Sequence, residues 1–369
     1  MDRDEQIASL RLIRTSNIGQ MTFSLLLQRY GSARAALDAV PEPARRGGRS
    51  LKPASRAAAT AEIEAVEAAG AKLLFKGGDD YPKALERFDD APPVLSARGT
   101  TALLSSPSIA VVGARNASIN AVRLAQTLSE QLAANGYVVV SGLARGIDTA
   151  AHNGALARGT VAVIAGGIDI QYPPENADLH DAIAESGLLL AEMPPGTQPT
   201  PRHFPIRNRI IASLALGVLV IEAAQRSGSL ITAREAGERG GEVMAVPGSP
   251  LDGRTEGCNH LIREGATLVR DIDDILECLA SPPVASLPTA KEWRDARLSP
   301  GTEKEIEASR TRILAALGAE ATDIDEIIRW CDEPVSTVLV AILELELAGR
   351  ISRHHGNRIC RIADAGTSD

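Results

Sequence analysis

An arginine between two glycines follows a β-branched run in the middle of the chain. The run YVVVSG ends at Gly142, and Arg145 and Gly146 follow in the segment SGLARGID. Glycine lets the backbone approach a ligand closely, and an arginine guanidinium binds anions through several donors at once. These residue types at this spacing indicate an anion-binding loop.

The next predicted helix begins with Asp148 and contains His152 among alanines. Asp is a frequent N-cap residue, so we expect Asp148 to cap this helix. A histidine on such a helix is expected to be packed and hydrogen-bonded. Neither residue is predicted to be catalytic.

Three further loops carry similar side chains. GARNAS follows another strand-like run, RHFPIRNR places Phe204 in a predicted loop among arginines, and RSGS precedes a helix. An aromatic ring beside cations is the arrangement that stacks bases while the cations hold phosphates. A packed phenylalanine, a solvated Arg115 and a helix cap in RSGS are the alternatives, since capping and an anion nest use the same residue types. The candidate binding residues are Gly113, Arg115, Gly142, Arg145, Gly146, Phe204, Arg207, Asn208, Arg209, Ser227, Gly228 and Ser229.

The elements that must position these loops are short strands alternating with helical patterns. The predicted strands are 109–113, 137–142, 161–167, 188–192, 218–223 and 242–248. This alternation predicts an α/β fold with a parallel sheet covered on both faces. Right-handed crossovers place every strand-to-helix loop at one edge of the sheet, where ligands bind. We therefore expect the candidate residues to converge.

Other patterns narrow the chemistry. No loop reads G-x-G-x-x-G or G-x-x-x-x-G-K-[ST], so neither nucleotide-binding motif is present. The four cysteines form no C-x-x-C and are expected to be reduced thiols, with Cys258 a buried thiol rather than a nucleophile. No metal-ligand set, cofactor motif or nucleophile–base pair is recognised, which favours binding over catalysis.

Charge and hydropathy also bear on the class of protein. The net charge of −8 argues against a surface coated in positive charge, although local basic patches remain compatible with nucleic acid. No signal peptide or membrane span is recognised, so we expect a cytoplasmic protein.

The chain divides into four predicted segments. Residues 1–70 form an N-terminal helical domain, 71–280 the sheet domain, 281–302 a linker and 303–369 a domain of three helices and a basic wing. The third helix, VSTVLVAILELELAG, has no Lys or Arg and carries Glu344 and Glu346, which a phosphate-lined groove would repel. We therefore predict that it does not read duplex DNA. A protein-partner surface, weak attraction between the wing and the DNA backbone and a purely structural role stay open.

Seven motifs in the sheet domain resemble the DNA-processing protein A family (DprA/Smf), in the family's order and over residues 81–274. They are VVGAR, VVSGLARGIDTAAH, YPPEN, HFPIRNRII, RSGSLITAREA, VMAVPG and GCNHLIREGA. The resemblance implies an extended Rossmann-like domain, without enzymatic activity or cofactor, that binds single-stranded DNA. It also implies a homodimer that loads a RecA-type recombinase during natural transformation, with single-strand-binding protein as a further partner. A SAM-like or helix–hairpin–helix N-terminal domain and a winged helix at the C-terminus fit the same family.

Individual roles also follow from this resemblance. Arg115 and Arg145 match the basic pocket residues of the family, and Phe204 matches its base-contacting aromatic. Ala114 departs from the family pattern, because many relatives have Ser or Thr there. The departure implies the loss of a hydroxyl contact to phosphate.

An enzyme is the main alternative. The lysine-decarboxylase-like phosphoribohydrolases share a Rossmann-like fold and use a P-G-G-x-G-T-x-x-E loop to process a nucleotide. The comparable segment here is RSGSLITAREA, in which Glu235 lacks the glycine context. A scaffold whose flanking domains bind only proteins is a third interpretation.

Overall fold

The computed structural model describes residues 1–47, 51–280, 302–354 and 357–362. The chain forms two compact units, of which one combines Met1–Thr60 with Leu287–Asp369 and the other spans Ala61–Ser286. The predicted linker, except for Thr302, and the wing residue His355 lie outside the described residues.

The helices and strands are numbered in chain order. Helices α1 to α8 are Arg3–Ile13, Gln20–Tyr30, Ala33–Ala39, Pro41–Arg46, Arg56–Ala68, Lys83–Glu86, Ile119–Ala134 and Ile147–Ala155. Helices α9 to α16 are Ala177–Ser186, His203–Leu214, Gly228–Glu238, Glu256–Arg263, Ile272–Ala280, Glu303–Ala316, Ile324–Cys331 and Val335–Leu347. Strands β1 to β6 are Lys72–Phe75, Val94–Gly99, Ser108–Val112, Val138–Ser141, Thr160–Gly167 and Leu188–Met193. Strands β7 to β12 are Gly217–Val220, Glu242–Ala245, Thr267–Leu268, Thr322–Asp323, Ile351–His354 and Arg358–Arg361.

A nine-stranded sheet with the order β1-β2-β6-β5-β4-β3-β7-β8-β9 forms the centre of the second unit. Strands β3 to β9 are parallel, whereas β1 and β2 add an antiparallel edge. The six predicted strands are all present, which confirms the expected parallel-sheet core.

Both faces of this sheet are buried because its central strands β3 to β7 are apolar at most positions. Ile109 and Val111 of β3 pack with α7 and α8, while Ala110 and Val112 of the same strand pack with α10 and α11. This double burial is the reason for continuous apolar runs in a parallel sheet.

The direction of winding reverses beside β3. The chain runs from β3 through β4 and β5 to β6 on one side, and β7 then returns to pair with β3 on the other side. Such a switch point leaves a crevice at the carboxyl ends of the two neighbouring strands, where ligands of open α/β sheets bind. The loops after β3 and β7 are GARNAS and EAAQRSGS.

The first unit contains the N-terminal helices and the C-terminal domain. Leu12, Phe23 and Leu26 are among the buried residues of the cluster formed by α1 to α4. Helices α14, α15 and α16 and a small sheet of order β10-β12-β11 form the C-terminal domain. This confirms the winged-helix prediction, with β10 as an additional short strand.

The N-terminal helices cover the C-terminal part of the outer face of α16, whereas Val335 and Leu339 on the same face are exposed. Val338, Ala341 and Leu345 belong to the core of the winged helix, whereas Leu343 and Leu347 belong to the N-terminal cluster. At 3.6 residues per turn these two sets lie on opposite sides of α16. Part of the apolar surface of α16, which was one of the open alternatives for contact with a partner protein, is therefore occupied by the chain's own N-terminal helices.

The two carboxylates of α16 are buried and paired, so the expected repulsion of phosphate by Glu344 and Glu346 is wrong. Glu344 is fully buried and accepts a hydrogen bond from Arg310 of α14. Glu346 accepts a hydrogen bond of 3.4 Å from Arg353 in the wing. Arg46 of α4 lies 2.7 Å from Glu303 and 3.9 Å from Glu344, so the N-terminal helices share this charged cluster.

We expect Arg310→Ala to destabilise the first unit by about 3–5 kcal/mol, because it leaves the buried Glu344 carboxylate without its partner. Arg312→Ala is the control. Arg312 lies on the same helix and pairs with Glu333, but its side chain is half-exposed. That control should lose no more than about 1 kcal/mol. Urea denaturation followed by tryptophan fluorescence measures the free energy of unfolding of both variants. Equal losses in the two variants would contradict the stabilising role of the buried pair of Arg310 and Glu344.

Candidate functional site

Two neighbouring cavities lie at the carboxyl edge of the sheet. The first, of about 550 Å³, is at the switch point between β3 and β7. Its lining includes the predicted residues Gly113, Arg115, Phe204, Arg207, Asn208, Ser227, Gly228 and Ser229. The second, of about 230 Å³, includes Gly142 and Arg145 and shares Arg115 and Phe204 with the first. Gly146 and Arg209 line neither cavity.

The loop between β4 and α8 requires glycine for two different reasons. Gly146 has φ +77°, and a Cβ there would overlap the carbonyl oxygen of Ala114. Gly142 lies directly against the guanidinium of Arg207, so a Cβ at Gly142 would overlap that group. The predicted close approach at Gly142 is therefore to the protein's own arginine.

Arg207 is packed against this loop at Gly142 and supports it. Its side chain is buried, and its Nη1 donates a hydrogen bond of 2.6 Å to the carbonyl oxygen of Val163 on β5. Burial lowers the pKa of Arg207 to about 10, against the opposing effect of Asp148, so the guanidinium stays charged at neutral pH. Arg207 thus places a positive charge at the floor of the first cavity.

Asp148 closes the loop instead of capping the helix, which corrects the expected role. Gly146 is the N-cap of α8, and Asp148 is its second residue. The Asp148 Oδ2 accepts hydrogen bonds from the backbone N–H of Gly142 (3.1 Å) and Ala144 (3.2 Å). Burial raises the pKa of Asp148 above its ordinary value, and Arg207 and these backbone donors oppose this effect only in part.

Asn176 also holds the loop from a distant part of the chain. Its Nδ2 donates to the carbonyl oxygen of Leu143 (2.9 Å) and to Thr149 Oγ1 (3.0 Å). It occupies the N-cap position of α9, but its side chain makes no capping hydrogen bond there. Sequence analysis assigned no such role to Asn176, because the contact joins segments that are 33 residues apart.

His152 and Cys258 are buried and structural. The His152 Nδ1 lies 2.9 Å from Thr160 Oγ1, and burial lowers the pKa of His152 to about 3, which keeps the ring neutral. Burial raises the pKa of Cys258 to about 11, so its thiol is protonated at neutral pH. Both predictions of packed residues are confirmed.

The exposed part of the site is an arginine stacked on a phenylalanine. The Arg115 guanidinium lies 5.0 Å from the centroid of the Phe204 ring. Phe204 is in the first turn of α10 and not in a loop as predicted. Pro205 is tolerated there, because the first N–H groups of a helix have no intrahelical partner. The helix therefore fixes the direction of the ring more firmly than a loop would.

Arg145 is exposed at the rim of the second cavity. Its nearest charged partner is Glu175, at 3.6 Å, and both side chains are more than half exposed. An ion pair this open to solvent contributes little to stability. Arg145 can therefore exchange Glu175 for another anion.

Arg209 points away from both cavities. It donates hydrogen bonds to Glu192 (2.6 Å) and to the carbonyl oxygen of Asp90 (2.7 Å), and it is buried. Residues two apart on a helix are about 200° apart around its axis, so Arg207 and Arg209 cannot face the same site. The geometry gives Arg209 a structural role and does not support a phosphate contact.

The segment RSGS caps a helix and borders the first cavity. Ser227 is the N-cap of α11, and its Oγ lies 2.7 Å from the Oγ of Ser229. Arg226 beside it is exposed and lines the first cavity, although it was not in the candidate set. The RSGS motif, which begins with Arg226, was sufficient to identify this residue as a candidate from the sequence.

The acidic groups near the cavities have other partners. Glu235, the acid of the enzyme alternative, lies 2.9 Å from Arg239 and lines neither cavity.

No cluster of three potential metal ligands occurs among the described residues. Within the same part of the chain, no helix is long and apolar enough to cross a bilayer.

Comparison with family models gives three matches. The family described as DNA recombination-mediator protein A matches residues 72–280. A DprA-like N-terminal HHH domain matches residues 3–65, and a DprA winged helix domain matches residues 297–357.

Individual relatives agree with these matches. The chain is 50% identical to the DNA processing protein DprA of Streptococcus pneumoniae over 200 residues, which are 54% of this chain and 71% of that protein. It is 39% identical to Protein Smf of Escherichia coli over 290 residues, 78% and 76% of the two chains.

Two solved structures are similar. The crystal structure of the S. pneumoniae protein has a TM-score of 0.65 and 39% identity, covering 75% of this chain and 98% of that one. A structure from Helicobacter pylori, described as giving insights into the single-stranded DNA binding mode of DNA processing protein A, has a TM-score of 0.53 and 30% identity. It covers 57% of this chain and 95% of its own. From its family-model matches and these relatives, the chain belongs to the DNA recombination-mediator protein A family, DprA/Smf.

Proposed function

We propose that this protein binds single-stranded DNA at the two cavities, as a cytoplasmic binding protein without catalytic activity. The observation that carries the proposal is the Arg115 guanidinium stacked 5.0 Å from Phe204, with the exposed Arg145 on the adjoining cavity. A ring beside two accessible cations offers a face to a base and charges to the flanking phosphates.

The geometry favours a single strand over a duplex. A base can stack on Phe204 only if it is free of its own neighbours, and in a duplex this requires unstacking. The related H. pylori protein, described by its single-stranded DNA binding mode, supports this choice.

The state of the acidic residues supports binding rather than catalysis. Asp148 is occupied by two backbone N–H groups, and Glu235 is paired with Arg239 outside the cavities. A general base must reach a substrate by a hydrogen bond or through one water. Release of a base from a nucleoside monophosphate would instead support the phosphoribohydrolase alternative.

We expect Arg115→Ala and Arg145→Ala each to weaken binding of single-stranded DNA and to reduce the salt slope of the binding constant by about one phosphate contact. Phe204→Ala should weaken binding by about 1–3 kcal/mol and leave the salt slope nearly unchanged, because stacking releases no counterions. Fluorescence anisotropy with a labelled oligonucleotide at several salt concentrations measures both quantities.

Arg158→Ala is the matched control for the arginine variants. Arg158 is exposed and lies two residues before the start of β5, which places it at the opposite edge of the sheet from the cavities. Wild-type binding by all three site variants, or equal affinity of the wild type for duplex DNA, would contradict the proposal.

Glu175→Gln should increase the affinity for single-stranded DNA by a few-fold at low salt, since it removes the negative charge 3.6 Å from Arg145. The gain should shrink as the salt concentration rises. Glu185→Gln removes the same charge from the far end of α9, where the side chain is exposed, and should have no comparable effect. Identical gains from the two variants would indicate a general charge effect and not competition at Arg145.

We further propose that the protein acts as a homodimer that receives strands coated by a single-strand-binding protein and loads a RecA-type recombinase on them during natural transformation. This role is consistent with the recombination-mediator family, and no cavity residue by itself specifies it. We expect the protein to accelerate recombinase filament formation on coated single-stranded DNA, and Arg115→Ala to reduce that acceleration. An unchanged filament-formation rate on adding the wild-type protein would refute the loading role.

A further inference from the structure

A buried carboxylate follows β7 and lines neither cavity. Glu222 is the second residue after that strand, and it is 4% exposed. Its Oε1 accepts a hydrogen bond of 3.0 Å from the backbone N–H of Ser118, and its Oε2 accepts one of 2.7 Å from the Ser118 hydroxyl. Both oxygens of this carboxylate are therefore used to hold the loop that follows the neighbouring strand β3.

The backbone of Glu222 holds the other end of the same loop. Its carbonyl oxygen accepts a hydrogen bond of 2.7 Å from the N–H of Ala114. Ala114 immediately precedes Arg115, and Ser118 follows Arg115 by three residues. Glu222 thus fixes the backbone on both sides of Arg115, although the two residues are far apart in sequence.

The carboxylate also lies at the start of α7. Ser118 is the N-cap of this helix, and its Oγ accepts a hydrogen bond of 3.2 Å from the N–H of Ala121. The N-terminus of a helix carries partial positive charge and attracts anions, and in Rossmann-like folds a phosphate binds at such a position. Because Glu222 already places an anionic group there, an incoming phosphate is left to the side chain of Arg115.

The position of Arg115 matters because its side chain is exposed. The guanidinium lies 5.0 Å from the centroid of the Phe204 ring. Ordering an arginine side chain costs up to about 2 kcal/mol of conformational entropy. A loop that is held on both sides restricts the backbone from which this side chain extends, and such preorganisation lowers the cost of binding.

We propose that Glu222 is a positioning residue for binding of single-stranded DNA, because it holds the loop that presents Arg115 over Phe204. The inference rests on the proposed function and adds to it a residue outside both cavities. If Glu222 acts through Arg115, its contribution to binding disappears when the Arg115 side chain is removed. A contribution to overall stability, or a simple repulsion of DNA by the carboxylate, would not depend on Arg115 in this way.

A double-mutant cycle measures this dependence, with fluorescence anisotropy of a labelled thymidine oligonucleotide as the readout. We expect Glu222→Ala to lower the affinity by about 2- to 150-fold, which corresponds to coupling of about 0.5–3 kcal/mol between residues that share a contact. It should also reduce the salt slope by about one phosphate contact. In the Arg115→Ala protein, the same substitution should change neither the affinity nor the slope.

The Arg145→Ala protein is the matched background. Arg145 lies in the loop that Asp148 and Asn176 hold, so Glu222→Ala should there cause the same fold-loss as in the wild type. Equal losses in the two arginine backgrounds would indicate general destabilisation and would overturn the inference. A higher affinity of Glu222→Ala would also overturn it, since that result is expected if the carboxylate only repels DNA.

Ser118 gives an independent test that does not require a change in the buried residue. Ser118→Ala removes the hydroxyl that donates to Glu222 from a partly buried position, and loss of the cap costs about 1 kcal/mol of stability. We expect a lower affinity that depends on Arg115 as before, and Ser118→Thr, which restores the hydroxyl, should recover the wild-type affinity. Additive losses of Ser118→Ala and Arg115→Ala would contradict the positioning role.

The two proposals fail in different ways. An additive cycle in a protein that binds the oligonucleotide would overturn the role of Glu222 and leave the proposed function intact. Failure of the wild-type protein to bind the thymidine oligonucleotide would overturn the proposed function, and the positioning role with it.

Discussion

A guanidinium buried beneath a glycine organises the carboxyl edge of the sheet. Arg207 reaches under Gly142 and donates to the carbonyl oxygen of Val163, while Asp148 lies close enough to lower the penalty of burying the charge. A buried charge is tolerated only when it is paired and hydrogen-bonded. This requirement links the end of β4 and the middle of β5 to the starts of α8 and α10. Arg145 lies in the loop before α8, and Phe204 lies in the first turn of α10.

The site therefore divides its arginines into two kinds. Arg207 is enclosed and gives the binding loop a fixed shape, whereas Arg115 and Arg145 are exposed and free to meet an anion. Because the loop is already held by Asp148 and Asn176, little conformational entropy remains to be lost when a ligand binds. Preorganised cations around an aromatic ring suit a flexible, highly charged polymer such as single-stranded DNA.

The first unit also contains a buried charge that must be paired, but there the pair joins the two terminal domains. Glu344 and Arg310 are buried together, and Arg46 brings the N-terminal helices to the same cluster. Leu343 and Leu347 then pack on those helices, so part of the face of α16 opposite the winged-helix core is used within the chain. The terminal domains, which are far apart in sequence, thus share one apolar cluster and one set of charges.

The sequence by itself determined the strands, the helices between them and the edge at which the loops meet. Local periodicity and the handedness of crossovers are sufficient for this, because they depend on neighbouring residues and on chain chirality. Motif resemblance assigned Arg115, Arg145 and Phe204, and the structure brings these three residues to adjoining cavities. Only the tertiary structure distinguished Arg207 from Arg209, and it gave Asp148 and Asn176 their roles as supports of the loop. It also placed Glu222 against Ser118 and the N-terminal helices on α16. Burial and long-range hydrogen bonds depend on which distant segments pack together. Two arginines in one motif are the same residue type, so the motif alone does not show which of them is buried or what each one contacts.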